Sequence, residues 1–212
     1  MPRSAALNRE LRAASRRRIL ETALRLFAER GYAATPVDAI VAAAGISPGL
    51  LYHYFPSKLD LLRAVFAASM TDVRASFAAA DAAATPSVRL GALLRGAAAI
   101  VKAHRDFWTL SYGLRMQREA MAALGPSLAE WTAEIHRTLE RYLREAGWPD
   151  ARREALLLFA QIDGLCQHYV LDPERYPIDA LVGRLSDRYA SPPSPARRPR
   201  RATRRSASRR HT

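Results

Sequence analysis

Apolar side chains recur along this chain at spacings of three and four, the repeat of one helical face. No sustained period-two alternation of β-branched residues and no Asn-Gly or Asp-Gly hairpin turn interrupts that pattern. Leu20, Leu24 and Phe27 begin the series, and Gly31 supplies a left-handed terminator. Thr35-Pro36-Val37-Asp38 reads as the next start, with Thr35 as N-cap, Pro36 at the first helical position and Asp38 closing a short capping box. Gly45 ends that helix, Ser47-Pro48 opens another, and Pro56 stops it. Ser57-Lys58-Leu59-Asp60 caps a long helix to about Ala80, and Thr85-Pro86 opens one toward His104. Shorter pieces are predicted over 106–122. Ser127-Leu128-Ala129-Glu130 is a full capping box, after which Trp131, Ile135, Leu139 and Tyr142 continue the apolar spacing to a stop at Gly147 and Pro149. A helix over 151–171 and a last one from Pro177 to about Tyr189 complete nine or ten helices. The fold class is all-α: an N-terminal three-helix unit followed by a larger helical domain.

Length and composition narrow the picture. The 212 residues include 49% apolar positions, enough for a sizeable core, and a single cysteine, Cys166. One cysteine excludes a disulfide framework and a cysteine-based zinc site, and fits a reducing cytoplasm. No membrane span or secretion signal is legible, so a cytoplasmic protein is expected. Charge is uneven. Residues 1–66 carry ten basic and five acidic groups, residues 67–190 fifteen of each, and residues 191–212 eight arginines and no acid. Positive charge concentrated at both ends points to a polyanionic partner, most simply nucleic acid, although a solvated basic surface with a disordered tail accounts for the same numbers. Four domains follow: a basic extension over 1–15, a DNA-binding unit over 16–66, a helical domain over 67–190, and a tail over 191–212 too poor in apolar residues to offset its ordering entropy.

The most informative stretch is TPVDAIVAAAGISPGLLYHYFPSK, residues 35–58. Two short helices around a Gly-containing turn form a helix-turn-helix pattern. Val37, Ile40, Val41, Ala44, Ile46 and Leu51 supply its apolar pivot against Leu20, Leu24 and Phe27, while Ala42 and Ala43 leave room for close crossing. The second helix is then stiff enough to enter a DNA major groove with its N-terminal residues at base edges.

On these residues the chain resembles the tetracycline-repressor (TetR) family of transcriptional regulators. The matching positions are Phe27, Gly31-Tyr32, Thr35, Ile40, Ala44-Gly45-Ile46-Ser47, Gly49 to Phe55, Ser57-Lys58 and Leu61-Leu62. Residues 67–190 are similar to the family's ligand and dimer domain in length and layout, with Ile162-Asp163-Gly164-Leu165 resembling one late helix. The resemblance implies that Thr35 and Ser47 contact phosphates, that Pro48, Gly49 and Leu50 face bases, that Tyr52 and His53 touch the backbone or groove edge, and that Lys58 clamps a phosphate. Asp38 departs from members with a basic residue there. Pro48, Gly49 and Leu50 offer no bidentate donors, which shifts base readout toward thymine methyls and DNA shape.

Each sharper reading has a plainer counterpart. Tyr52, Tyr54 and Phe55 also serve as core aromatics, and His53 as a solvated side chain. Phe66, Met70, Phe77, Phe107, Trp108, Tyr112 and Met116 are ordinary core material unless they line a small-molecule pocket, in which His104 and Arg115 would orient a polar group. The helix over 151–171 is apolar nearly all round and needs burial on every face. Leu158, Ile162, Leu165 and Tyr169, with Leu128, Trp131, Ile135 and Leu139, are the candidate seam of a homodimer, the alternative being one internal helix. His104, His136 and His168 lie 32 residues apart without ligand spacing, so no metal or cofactor is expected. No nucleophile elbow, phosphate-cradling loop or paired carboxylates argue for an enzyme. The function expected is a dimeric repressor released from a palindromic DNA operator by a small-molecule inducer. The alternative is an architectural DNA binder that relies on the basic tail, which is otherwise a tether, a segment without a role, or a membrane-surface patch.

Overall fold

The computed structural model describes residues 2–80 and 85–191. The tail from residue 192 onward, and with it the expectation of disorder there, lies outside them. Among the described residues there are nine helices and no strand. These are α1 (Pro2–Arg30), α2 (Val37–Ala44), α3 (Pro48–Tyr54), α4 (Lys58–Ala80), α5 (Pro86–Ala103), α6 (Arg105–Leu114), α7 (Arg118–Glu145), α8 (Ala151–Leu171) and α9 (Ile178–Tyr189). The punctuation acts where local chemistry demands it. Gly45 takes φ +62°, a left-handed conformation only glycine adopts cheaply, and its N–H closes onto the last carbonyls of α2. Ser47 caps α3 by accepting from Leu50 N–H at 3.3 Å. Ser57 caps α4 by accepting from Asp60 N–H at 3.1 Å while donating to the Asp60 carboxylate at 2.7 Å. That hydroxyl, with Arg63 beside it, holds the Asp60 carboxyl below the usual carboxylate range.

Three boundaries differ from the sequence reading. Thr35 is not the cap of α2: Pro36 holds that position, without a side-chain bond. The Ser127 capping box starts nothing, because α7 runs through it from Arg118, and Pro126 lies inside the helix. Proline removes one backbone donor, a cost the packed faces of a 28-residue helix absorb. Finally, α1 does not begin at residue 16 but at Pro2, so the basic extension is a continuous part of that helix.

Two hydrophobic cores hold the molecule. The first joins α1–α4 to α6 and the front of α7: Phe27, Leu51 and Phe66 pack with Phe107, Leu114, Leu124 and Trp131. The second joins α5, the back of α7, α8 and α9 through Leu94, Leu139, Tyr142, Leu158 and Tyr189. The expected boundary at 66/67 falls inside α4, and the first core crosses it. The head is welded to α6.

Candidate DNA-binding surface and ligand cavity

The head presents α3 outward on a buried pivot. Leu51 is its buried anchor, whereas Ser47, Pro48, Gly49, Tyr52 and His53 are exposed, and Leu50 is half-buried. A Cβ at Gly49 would meet nothing within 4 Å, so this side of the helix is open at that position. Of Tyr52, Tyr54 and Phe55, Phe55 is core, Tyr52 is exposed, and Tyr54 turns back to donate to the Arg12 carbonyl at 3.2 Å.

Of the expected contacts, Thr35 is removed by burial and Lys58 is partly engaged within the chain. Thr35 is 0% exposed, and its hydroxyl donates to the carbonyls of Gly31 at 2.8 Å and Leu26 at 3.2 Å. It ties off the end of α1, and its burial takes it away from any phosphate. The Lys58 ammonium donates to the Ala33 carbonyl at 3.3 Å and sits 4.5 Å from the centre of the Tyr32 ring. Partial burial lowers its pKa. Lys58 therefore pins the turn between α1 and α2.

The helical domain contains a half-open cavity of about 670 Å³, lined by residues of both cores and open to solvent beside Ala129. Met70, Phe107, Trp108 and Trp131 form one side, Ile135, His136 and Phe159 the other. Its existence has a sequence cause. Gly125, Ala129 and Ala133 lie four apart on α7 and all line the void, so one face of that helix lacks the volume to fill it. The wall carries unused hydrogen-bonding capacity, since Trp108 Nε1 and His136 Nε2 are buried without partners. Arg115 and Asp163 stand in the same lining as a bidentate pair at 2.7 and 2.8 Å. The guanidinium lies 4.5 Å from the Tyr112 ring centre, and the Tyr112 hydroxyl is 3.4 Å from Asp163. Burial and the nearby carboxylate push the Tyr112 phenol well above its ordinary pKa, and the same two causes push the Cys166 thiol up to about 12.

Of the expected pocket residues, Met70, Phe107, Trp108 and Arg115 line this cavity. Phe66 lies next to it, edge-on to Phe107, and Tyr112 faces a small adjacent void of about 50 Å³. Two are corrected. Met116 is 93% exposed just beyond the end of α6, and His104 forms the α5–α6 junction outside the lining. The Phe77 side chain lies outside the described residues. Sequence reasoning missed Gly125, Ala129, Ala133, His136 and Phe159. A small residue at every fourth position was the available signal.

The structure covers half of the expected dimer seam and leaves the other half partly exposed. Trp131, Leu139, Leu158 and Ile162 are buried within the single chain, and Leu128, Ile135, Leu165 and Tyr169 pack half-buried against the same cores. The apolar positions that α8 leaves outside include Leu156, 49% exposed, and Leu157, 55% exposed, with Ala160 one turn on and Leu171 at the helix end. Among the described residues, no three His, Cys, Asp or Glu side chains group as a metal site, and no helix is long and apolar enough to cross a membrane.

Comparison with known proteins settles the lineage. Residues 19–65 match the family model described as bacterial regulatory proteins, tetR family, and residues 83–192 match the one for tetracyclin repressor-like C-terminal domains. The chain belongs to the TetR family. It is thus a TetR-family transcriptional regulator with a helix-turn-helix DNA-binding head. Among relatives, it is 40% identical over 81 residues to the HTH-type transcriptional regulator BetI of Rhizobium meliloti (strain 1021), a match covering 38% of this chain and 40% of that one. Less than half of that relative is therefore spanned. A TetR-like transcriptional regulator from Rhodococcus sp. RHA1 superposes with a TM-score of 0.73 at 26% identity, covering 84% of this chain and 94% of the other. A putative regulator from Saccharomonospora viridis, solved in complex with choline, gives 0.65 at 26% identity over 82% and 95% of the two chains.

Proposed function

We propose that this TetR-family regulator is a homodimeric repressor whose two heads bind successive major-groove faces of a palindromic operator and let go when a small molecule fills the α6–α7–α8 cavity. The observation that carries this reading is that residues of both cores line that cavity. A ligand wedged there bears on Phe107 and Trp108 of α6, and α6 shares its core with the recognition unit. The head spacing is the quantity at stake, because two half-sites must lie about 34–36 Å apart. A coupling of about 1–3 kcal/mol changes operator affinity roughly 5–150-fold. The void also falls within the ~300–1,000 Å³ of small-molecule sites, and its wall combines aromatic surface with unpartnered polar atoms. The choline complex of the structural relative supports a ligand-binding role for this domain.

Dimerisation rests on the outer face of α8, where Leu156, Leu157 and Ala160 would meet their symmetry mates across an isologous contact. Operator contact rests on Ser47, Pro48, Gly49, Leu50, Tyr52 and His53. Selection of genomic fragments by the purified protein tests the reading: a palindrome bound by a dimer is the expected result. Fragments without a shared sequence favour an architectural binder instead. Ala129→Phe, which fills the void, should leave palindrome binding intact and abolish its release by whichever metabolite extract releases the wild type in a gel shift.

A further inference from the structure

We propose that the N-terminal half of α1 is a second DNA-contacting element, in which Arg9, Arg12 and Arg16 grip the phosphates that flank the groove entered by α3. This rests on the head binding duplex DNA as above. Ile19, Leu20, Ala23, Leu26 and Phe27 mark the face of α1 turned to the core. Continued toward the N-terminus at the same spacing of three and four, that face carries Arg16, Arg12 and Arg9. The stripe turns from apolar to basic where the helix leaves the head. Two contacts aim it at the recognition helix. Tyr54, the last residue of α3, donates to the Arg12 carbonyl at 3.2 Å, and the Arg16 guanidinium lies over the Phe55 ring at 5.4 Å.

Arg9, Arg12 and Arg16 are exposed, and none forms an ion pair among the described residues. A helix rises about 1.5 Å per residue, so the row is about 10 Å long, close to the axial run of three phosphates of one strand at about 3.4 Å each. A rigid helix pays little side-chain ordering beyond the three arginines. Arg17 and Arg18 lie one and two residues further round the helix, off this stripe. They provide an internal control of equal charge.

Fluorescence anisotropy of the full-length protein on a 30-base-pair mixed-sequence duplex, titrated with salt, tests the assignment. Each lost phosphate contact flattens the slope of log K against log salt by about 0.9. The Arg12→Gln/Arg16→Gln double variant should flatten it by about 1.8, Arg9→Gln by about 0.9, and Arg17→Gln/Arg18→Gln by less than about 0.5. Arg16→Lys, which keeps the charge, should preserve the slope. Arg9 is exposed and forms no hydrogen bond, ion pair or ring contact among the described residues, so its variant answers the question even if Arg16→Gln unsettles Phe55. Equal slopes for the two double variants, or no change with Arg9→Gln, overturn the inference and leave the recognition helix untouched. A wild type that ignores the duplex at low salt overturns the DNA-binding reading itself.

Discussion

The head and the helical domain spend their polar side chains differently. In the head, Thr35, Ser47 and Ser57 each bond to backbone three or four residues away, fixing where a helix stops or starts. In the helical domain the polar ties reach across the chain: Arg115 to Asp163, Lys102 to Asp179, and Tyr189 to Glu154. Two longer ties, Lys58 to Ala33 and Tyr54 to Arg12, then fix those helices on one another. Of the ties in the helical domain, the Arg115–Asp163 pair joins the end of α6 to α8 in the wall of the cavity.

Three substitutions bear on that contrast. Phe107→Ala removes the ring that locks α6 onto Phe66 and should cost about 3–5 kcal/mol. In chemical denaturation the loss should appear in a single transition that unfolds head and α6 together; two transitions, with only the later residues affected, would break the picture of a shared core. Thr35→Val deletes a buried hydroxyl serving two carbonyls and should cost about 1–3 kcal/mol by the same measurement. The salt dependence of its DNA binding should not move, whereas a phosphate contact would flatten it. Asp163→Asn undoes the bidentate pair, worth about 1–2 kcal/mol once the partial exposure of Arg115 is discounted. It should loosen α6 on α8, so thermal unfolding falls slightly while affinity for operator DNA stays within about twofold of wild type.

The same contrast explains what could be read from the residues in order. The ends of α1, α2, α3 and α4 follow from Gly31, Gly45, Ser47-Pro48 and Ser57, because each signal acts on its own neighbours. Thr35 misled for an instructive reason: a threonine before proline has the chemistry of a cap, but the carbonyls at the end of α1 compete for the same hydroxyl and win. Ser127 misled because a capping box announces a start only where the chain is not already helical, and the packing of α7 against its neighbours keeps it helical through Pro126. Leu158 and Ile162 of the expected seam are covered by the chain itself, because a helix apolar all round does not declare which face its own chain will cover. Lys58 on the Ala33 carbonyl and Tyr54 on Arg12 span 25 and 42 residues, beyond the reach of any local rule.

The void beside α7 depends on the absence of side-chain volume at Gly125, Ala129 and Ala133, and not on any polar group that the head requires. Its size and outline can therefore drift by single exchanges at those three sites without disturbing the α1–α4 unit. With the cavity as the proposed ligand site, such an arrangement lets a lineage change what it senses while keeping the genes it controls.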